Sequence, residues 1–244
     1  MLSVAQAQEY LDTILRPQDY DDFCFNGVQI EGISDVSKIA YGVSLNDDFI
    51  EKSIEQGVEL LLVHHGIFGK DFINLHGVKK KRIEKIIKNG LTLMSYHLPL
   101  DMNIPYGNNI SVLKKLKLNY LSTIGFGMIG VYEKPISFYE FEKKLYETFP
   151  HSELQLYRNR ETISTVGVLT GDGSGEIEQY EGLVDTFITG SEKEYTRNWV
   201  KESGMNFINA GHYNTEIFGI SNIANLLKIK YGADIIFIDV PNSI

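Results

Sequence analysis

Four of the six histidines in this 244-residue sequence follow short apolar segments that are predicted to be β-strands. His64 and His65 come directly after four aliphatic residues. His97 follows the apolar segment 91–96, and His212 follows a segment that ends near residue 210. In open α/β sheets, ligands bind at the carboxyl ends of the strands. We therefore expect these imidazoles at a ligand-binding edge of a sheet.

Carboxylates accompany two of the three histidine segments. Asp101 lies four residues after His97, and Glu216 lies four residues after His212. Neutral imidazole and ionised carboxylate are the ligands that borderline divalent cations prefer. A single histidine at a strand end is more often structural than a ligand. Three segments of this composition nevertheless favour a metal site over three unrelated structural histidines.

The adjacent pair His64 and His65 leaves two arrangements open. Successive side chains of a regular strand point to opposite faces, so both imidazoles bind one ion only if the chain turns there, which Gly66 permits. Alternatively, each imidazole binds a different ion of a close pair, and carboxylates offset the doubled charge. The pattern of the doublet alone does not choose between the two.

The two carboxylates are expected in different local structures. Pro99 argues against a helical turn between His97 and Asp101, so we expect Asp101 as the ligand and His97 just outside the ligand shell. Glu216 is expected in the first turn of a helix capped by one of the polar residues 214 and 215, where the helix dipole favours an anion. Its carboxylate then reaches back toward His212 at the strand end.

The elements around these residues alternate between helical and strand periods. Ser3 and Gln6 have the spacing of a capping box at the start of a helix that runs to Leu15. Further along, we predict a strand at 39–43, a helix at 47–56, a strand at 58–63, a helix at 78–88 and a strand at 91–96. A helix followed by a strand, twice, indicates a parallel sheet.

Residues from about 125 to 210 are predicted to form a second, similar unit. Ser137 and Glu140 have capping-box spacing, and strands are predicted at 165–169 and 184–188. A helix over 214–230 and a strand over 233–240 close the chain. We predict an α/β protein of two packed lobes with mixed, largely parallel sheets and the metal site at the strand ends. The first lobe is 1–125, with 211–244 packing on it, and the second is 126–210.

The composition argues against several partners. With 32 acidic and 23 basic residues, the net charge of -9 disfavours nucleic acid. No secretory leader pattern starts the chain, and no apolar run reaches the roughly 20 residues that cross a bilayer, so we expect a cytoplasmic protein without membrane contact. The single Cys24 cannot form an internal disulfide and fits a reducing compartment as a small apolar side chain.

Several other polar features are interpreted as structural. His76 and His151 lie in connections outside the predicted strand ends, and the basic run 79–82 is typical of a solvated helix face. The turn at 171–175 contains three glycines and is a weak candidate for a phosphate cradle. A flexible surface turn is the better interpretation of that segment.

Three segments carry a resemblance to a known family. HHG at 64–66, HLPLD at 97–101 and GHYNTE at 211–216 resemble, in order and spacing, the signature of the family called NGG-one-interacting-factor-three-like, whose members are also named type 2 homologues of GTP cyclohydrolase. NGVQIEG at 26–32 and DTFITG at 185–190 resemble two further motifs. The resemblance covers essentially the whole chain, and 244 residues leave no room for the extra middle domain of some members.

The resemblance implies a dinuclear metal centre. The family's ligand positions are matched by His64, His65, Asp101, His212 and Glu216. His97 lies close by as the candidate catalytic residue that moves a proton. The implied cofactors are two divalent ions, with Zn, Mn, Fe, Co and Ni all compatible with these ligands. A ring-shaped self-assembly, commonly a hexamer, is also implied.

The expected activity is metal-dependent hydrolysis. Two close cations that activate water suit the hydrolysis of a phosphoester, an amide or a purine ring, so the substrate is expected to be a small, nucleotide-like molecule or a phosphoester. The family name suggests opening of the guanine imidazole ring of GTP. Two other functions stay open: a non-catalytic metal-binding assembly or regulatory protein, and a nuclease if a local basic rim offsets the acidic surface.

Overall fold

A computed structural model of the chain describes residues 2–242. The strands are β1 Leu2–Ser3, β2 Gly27–Ile30, β3 Asp35–Val36, β4 Lys38–Ser44, β5 Leu60–His65, β6 Thr92–Ser95, β7 Asn119–Ile124, β8 Gly127–Ser137, β9 Gln155–Tyr157, β10 Thr162–Leu169, β11 Thr186–Thr189, β12 Asn206–Asn209 and β13 Asp234–Phe237. The α-helices are α1 Val4–Leu15, α2 Asp47–Glu55, α3 Gly77–Lys88, α4 Leu98–Met102, α5 Asn108–Lys115, α6 Phe138–Thr148, α7 Thr196–Ser203 and α8 His212–Tyr231. Two 3-10 helices lie at Pro17–Asp19 and Ser174–Tyr180.

These elements form two compact units. The first unit contains residues 2–106 together with Gly219–Val240, and the second contains Gly107–Phe218 with 241–242. Helix α8 therefore contributes its first turns to the second unit and the rest to the first. The lobe limits predicted from the sequence, at residues 125 and 210, are a separate division of the chain and stay a prediction.

The first unit is built on a five-stranded sheet with the order β13-β4-β5-β6-β2. The pairs β13–β4, β4–β5 and β5–β6 are parallel, and β2 joins the edge antiparallel to β6. In β5, residues 60–63 have no exposed surface, as expected for a central parallel strand that is covered on both faces. The histidine doublet continues this buried segment and forms the carboxyl end of the strand.

Local capping signals set the helices of the first unit. Ser3 caps α1, and its hydroxyl and the Gln6 side chain form the predicted capping box, while the stripe of Ala7, Leu11 and Leu15 is buried. The side chain of Asn46 caps α2 by accepting from the N–H of Phe49. The predicted helices and strands of this unit are confirmed, with limits that differ by a few residues.

The second unit contains a six-stranded sheet with the order β7-β8-β10-β11-β12-β9. Strands β10, β11 and β12 run parallel, whereas β7, β8 and β9 pair antiparallel with their neighbours. Ser137 caps α6, whose Phe138, Phe141 and Leu145 enter the core of this unit. The predicted α/β class with mixed sheets of parallel and antiparallel strands is confirmed.

Two local predictions near the site are wrong. Pro99 does not prevent a helix: α4 begins at Leu98, and the proline occupies the first turn, where a missing N–H is tolerated. The N–H groups of Leu100 and Asp101 donate to the carbonyl of His97 at 2.7 and 3.2 Å. Helix α8 begins at His212 itself and not at residue 214, so no separate strand-end position exists for His212.

Within the described residues, every helix is too short or too polar to be a membrane span.

Candidate metal centre

Three imidazoles meet at the carboxyl ends of β5 and β6 in the first unit. The ring centroids of His64 and His65 lie 4.6 Å apart, and those of His64 and His97 lie 5.1 Å apart. The rings of His65 and His97 are separated by 5.7 Å. One nitrogen from each ring lies within 4.8 Å of the others, a spacing at which a single small cation is within reach of all three.

Backbone groups fix the tautomer of His64. Its Nδ1 lies 2.8 Å from the carbonyl oxygen of Tyr96, which only accepts, so Nδ1 carries the proton and donates. The lone pair is then on Nε2, which lies 3.6 Å from Oδ1 of Asp101. The hydroxyl of Ser95 donates to the carbonyl of His64 at 2.9 Å and fixes the strand end. His64 is fully buried, and Asp101 is 6% exposed.

His65 occupies the last position of β5 and is half-buried. Its Nδ1 lies 3.1 Å from the hydroxyl of Ser44, the residue opposite it on β4. Both members of the doublet belong to the strand, and their rings are tilted by 38° to each other. The chain therefore brings the two imidazoles side by side within the strand, without the turn that Gly66 would permit.

Gln29 holds the loop that follows the doublet. Its Oε1 accepts from the N–H groups of Ile67 at 2.8 Å and Phe68 at 3.1 Å, and its Nε2 donates to the carbonyl of Phe25 at 2.6 Å. A Cβ at Gly66 would lie 2.3 Å from Oε1 of Gln29, so only glycine leaves room for this carboxamide. The glutamine of the NGVQIEG segment thus has a structural task that its spacing in the sequence does not reveal.

Asp22 is a site residue that sequence reasoning missed. Its Oδ1 accepts from the N–H of Cys24 at 3.0 Å and from Nδ1 of His97 at 2.9 Å. Its Oδ2 accepts from Nδ2 of Asn26 at 3.0 Å and from the N–H of Leu98 at 2.9 Å. Burial would raise the pKa of Asp22, but hydrogen bonds from His97, Asn26 and the Cys24 N–H outweigh it and lower the pKa to about 2.

Cys24 lies beside Asp22 and His97 and is surrounded by carboxylates. Burial, followed by the carboxylates of Asp22, Asp71 and Asp101, raises its pKa to about 12. Without a bound cation, the thiol therefore stays protonated at neutral pH.

The second unit carries its own histidine–carboxylate pair. His212 opens α8, and Glu216 lies one turn later on the same face, with its Oε2 at 3.2 Å from Nε2 of His212. Glu216 is 3% exposed, while the side chain of His212 is 36% exposed. The expected reach of Glu216 back to His212 is observed, although it runs along a helix and not to a strand end.

The turn at 171–175 provides the space around Glu216. Gly171 has a φ of +72°, and a Cβ there would lie 2.3 Å from Oε1 of Glu216. Its N–H donates to the hydroxyl of Thr215 at 3.0 Å. Gly171, Gly173 and Ser174 are buried, whereas Asp172 and Gly175 are exposed, so the segment is only partly a surface turn. Gly171 and Gly173 permit close packing against Glu216 and Leu169.

The remaining polar features have ordinary roles. His76 and His151 are exposed. On the basic helix α3, Lys85 forms ion pairs with Asp47 and Glu51, both at 2.7 Å, and other cations pair with nearby carboxylates. Within the run 79–82, Lys80 and Lys81 are exposed and the other two residues are partly exposed, in agreement with the predicted solvated face.

The structure thus brings His64, His65, His97 and Asp101 together in the first unit, and His212 with Glu216 in the second. Nδ1–H of His64 donates to a backbone carbonyl, and Nδ1–H of His97 donates to a carboxylate. Histidines that bind a metal or transfer a proton usually have such a hydrogen bond on the ring nitrogen that faces away from the reacting centre. Residues suited to holding a metal ion therefore lie close together in the first unit.

Known proteins match this sequence over nearly its whole length. Residues 2–243 match the family described as Duf34/NIF3 (NGG1p interacting factor 3). The chain belongs to the Duf34/NIF3 family. The resemblance drawn from the three histidine segments is thereby confirmed.

Curated relatives in this family share about a third of the sequence. A protein of Buchnera aphidicola subsp. Schizaphis graminum named GTP cyclohydrolase 1 type 2 homolog is 33% identical over 239 residues, covering 96% of this chain and 97% of its own. A protein of the same name from Vibrio cholerae is 33% identical over 249 residues, covering 98% of each chain.

Several solved structures share the fold. A structure described as protein ybgI, of unknown function, superposes with a TM-score of 0.94 at 27% identity and covers 100% of both chains. TTHA1606 from Thermus thermophilus gives a TM-score of 0.93 at 28% identity, also with full coverage. Reduced HcgD from Methanocaldococcus jannaschii, at 22% identity and a TM-score of 0.87, supports the fold alone.

Proposed function

We propose that this Duf34/NIF3 protein is a dinuclear metal-dependent hydrolase. The proposed metal ligands are His64, His65, Asp101, His212 and Glu216, the positions that match the family signature. The observation that carries the proposal is the meeting of three imidazoles and a buried carboxylate at the ends of β5 and β6. Such a set of donors at strand ends is where α/β proteins bind their ligands.

The donor chemistry fits divalent cations. The hydrogen bond from His64 to Tyr96 presents Nε2 as an electron-pair donor on the side of Asp101. Asp101 and Glu216 are both nearly fully buried, and a buried carboxylate is favoured when it faces a cation. Imidazole and carboxylate together suit Zn, Mn, Fe, Co and Ni, so the choice of metal depends on supply in the cell.

The carboxylates and His97 are proposed to have different roles in the reaction. When bound, a pair of divalent ions supplies the positive charge that acidifies water and polarises an ester, amide or ring bond. Asp101 and Glu216 offset that charge from two separate parts of the sequence. His97 is proposed as the group that accepts a proton and returns it to the leaving group. Its ring lies beside His64 and His65, but it is hydrogen-bonded to Asp22, which is not a proposed metal ligand.

The substrate class follows from the relatives' printed names. Curated relatives are named GTP cyclohydrolase 1 type 2 homolog, which makes GTP the first compound to test and nucleotide-like or phosphoester compounds the next.

The test is turnover by protein loaded with one metal at a time. Purified chain is stripped with a chelator, reloaded with Mn, Zn or Fe, and incubated with GTP and a panel of phosphoesters. We expect hydrolysis that depends on the metal and falls by at least ~10²-fold in Asp101→Ala and Glu216→Ala. The matched controls are Asp48→Ala and Glu202→Ala, exposed carboxylates on helices of the first and second unit, which should keep the wild-type rate.

The same experiment separates the enzyme from a non-catalytic protein. The non-catalytic alternative predicts that wild type binds metal but turns over no substrate, and that Asp101→Ala loses both metal and stability. That result would identify the protein as a metal-binding assembly or regulatory partner. Equal background rates in wild type and both variants would rule out the hydrolase.

We also propose a ring-shaped homohexamer, by analogy with the family. Light scattering coupled to size-exclusion chromatography tests this assembly. A mass near six times 27.7 kDa supports it, and a monomer or dimer at micromolar concentration contradicts it.

A further inference from the structure

We infer that Asp22 is a positioning residue that holds His97 in the tautomer with the proton on Nδ1 and the lone pair on Nε2. The inference rests on the proposed function for its catalytic meaning, because His97 is the proposed proton carrier. Its structural part stands on the hydrogen bonds around Asp22 alone.

All four groups that contact the Asp22 carboxylate are donors. They are the N–H groups of Cys24 and Leu98, Nδ2 of Asn26 and Nδ1 of His97, at 2.9 to 3.0 Å. With two hydrogen bonds to each oxygen, the carboxylate has its acceptor capacity filled. Asp22 is therefore bound to its neighbours as an orienting group and is not a further metal ligand.

Asn26 locks the arrangement. Its Oδ1 accepts from the backbone N–H of His97 at 2.7 Å, so its Nδ2 must be the atom that faces Asp22. A flipped Asn26 amide would lose both hydrogen bonds. The segment from Asp22 to Asn26 thus forms two hydrogen bonds with His97, one at the ring and one at the backbone.

Burial makes the geometry rigid. The side chain of Asp22 is 2% exposed and that of His97 is 13% exposed. The ring of Phe23 packs edge-on against His97, with centroids 4.9 Å apart and an angle of 72° between the planes. The imidazole is thus fixed by one carboxylate, one aromatic edge and the rings of His64 and His65.

An asparagine at position 22 gives a sharp test. The amide nitrogen of the new side chain would replace either Oδ1 or Oδ2 of Asp22. At the Oδ1 position it would face the Cys24 N–H and Nδ1–H of His97, and at the Oδ2 position it would face the Leu98 N–H and Nδ2 of Asn26. Cys24 and Leu98 present backbone N–H groups and cannot change roles, whereas His97 becomes an acceptor when its proton moves to Nε2. We therefore expect Asp22→Asn to convert His97 to the Nε2–H tautomer, in which Nε2 can no longer accept a proton.

The measurement is ¹⁵N NMR of the histidine rings at pH 8 in the full-length, metal-free protein. In wild type we expect a pyrrole-like shift for Nδ1 of His97 and a pyridine-like shift for Nε2. In Asp22→Asn we expect the reverse: a pyridine-like shift for Nδ1 and a pyrrole-like shift for Nε2. The matched control is Asp21→Asn, the exposed neighbour that pairs with Lys70, which should leave His97 unchanged. An Nε2–H tautomer already present in wild type, or an unchanged tautomer in a folded Asp22→Asn, would overturn the inference.

Kinetics of metal-loaded protein then test the catalytic part. Asp22→Asn is expected to keep the wild-type metal content and KM and to lose about 10²–10⁴-fold in kcat, the usual contribution of a proton-transfer group. If wild type turns over no substrate, the proposed function fails while the ring shifts still decide the role of Asp22. Wild-type kcat in a variant whose tautomer has switched would overturn the catalytic part.

Discussion

In the first unit, the site imidazoles are fixed by hydrogen bonds from groups far along the chain, whereas in the second unit the histidine and carboxylate are neighbours on one helix. Asp22 and His97 are 75 residues apart, Tyr96 and His64 are 32 apart, and Ser44 and His65 are 21 apart. The second pair, at positions i and i+4 of α8, depends instead on the space left by a glycine turn.

This difference predicts different sensitivities. The geometry of the imidazoles in the first unit should be lost when a polar partner is removed, because each partner orients one ring. The His212–Glu216 pair of the second unit should be disturbed by added side-chain volume, because the helix already sets its geometry. The following variants test this contrast.

Adding one methyl group at Gly171 should have the largest effect on stability. The residue has a positive φ, and the new Cβ would lie 2.3 Å from Glu216, so we expect Gly171→Ala to lose about 3 kcal/mol of unfolding free energy. The control is Gly175→Ala in the same turn, where a Cβ meets nothing within 4 Å. Equal urea midpoints for the two variants would refute the steric account of this turn.

Acid should remove the stabilisation that Asp22 provides. Its pKa falls from an ordinary 3.8 to about 2 in the folded protein, so the folded state binds this proton less tightly than the unfolded state does. The contribution of about 2 kcal/mol is complete above about pH 4 and is lost as the pH falls through about 2. The stability difference between wild type and Asp22→Asn, measured by urea unfolding from pH 6 to 2, should shrink over that range. A difference that stays constant would contradict the assigned pKa.

Removing the carboxamide of Gln29 should loosen the loop after the histidine doublet. Gln29→Ala leaves the N–H groups of Ile67 and Phe68 without their acceptor, and we expect a loss of about 1–2 kcal/mol. Hydrogen exchange at these two amides should accelerate. Gln18→Ala, at an exposed position, should change neither quantity. Unchanged exchange at Ile67 and Phe68 would show that Gln29 does not hold the loop.

The smallest expected effect on stability is at Ser44. Ser44→Ala removes the hydroxyl 3.1 Å from Nδ1 of His65, and we expect a loss of about 1 kcal/mol together with about 10-fold weaker metal binding. Chelator competition measures the affinity, and Ser34→Ala at an exposed position serves as the control. Equal metal affinity in both variants would mean that the orientation of His65 does not depend on Ser44.

Periodicity and capping signals were sufficient for most elements. Ser3 with Gln6 located the start of α1, and the aliphatic run 60–63 located the central strand. These signals are local, because a few consecutive residues determine the cap or the buried face. The histidine segments also identified the family, since their order and spacing are preserved in the linear sequence.

The errors came from other physical sources. Pro99 was judged by its rule for helix interiors, but it stands in a first turn, where its ring fits. Asp22 and Gln29 act through hydrogen bonds to His97 and Ile67, which lie 75 and 38 residues away. No local sequence pattern indicates such partners. The packing role of Gly171 likewise depends on Glu216, 45 positions later in the sequence. Contacts between residues far apart in the chain, both hydrogen bonds and close packing, are therefore what the sequence did not reveal.

The most direct test of the account is the number of metal ions per chain. The protein is equilibrated with Mn²⁺ or Zn²⁺, desalted, and analysed for metal and protein. We predict two ions per wild-type chain and a loss of at least one ion in His64→Ala, Asp101→Ala and Glu216→Ala, with two retained in Asp48→Ala. A wild-type chain that retains no ion, or equal metal content in wild type and all three ligand variants, would contradict the proposal that these residues hold a pair of divalent cations.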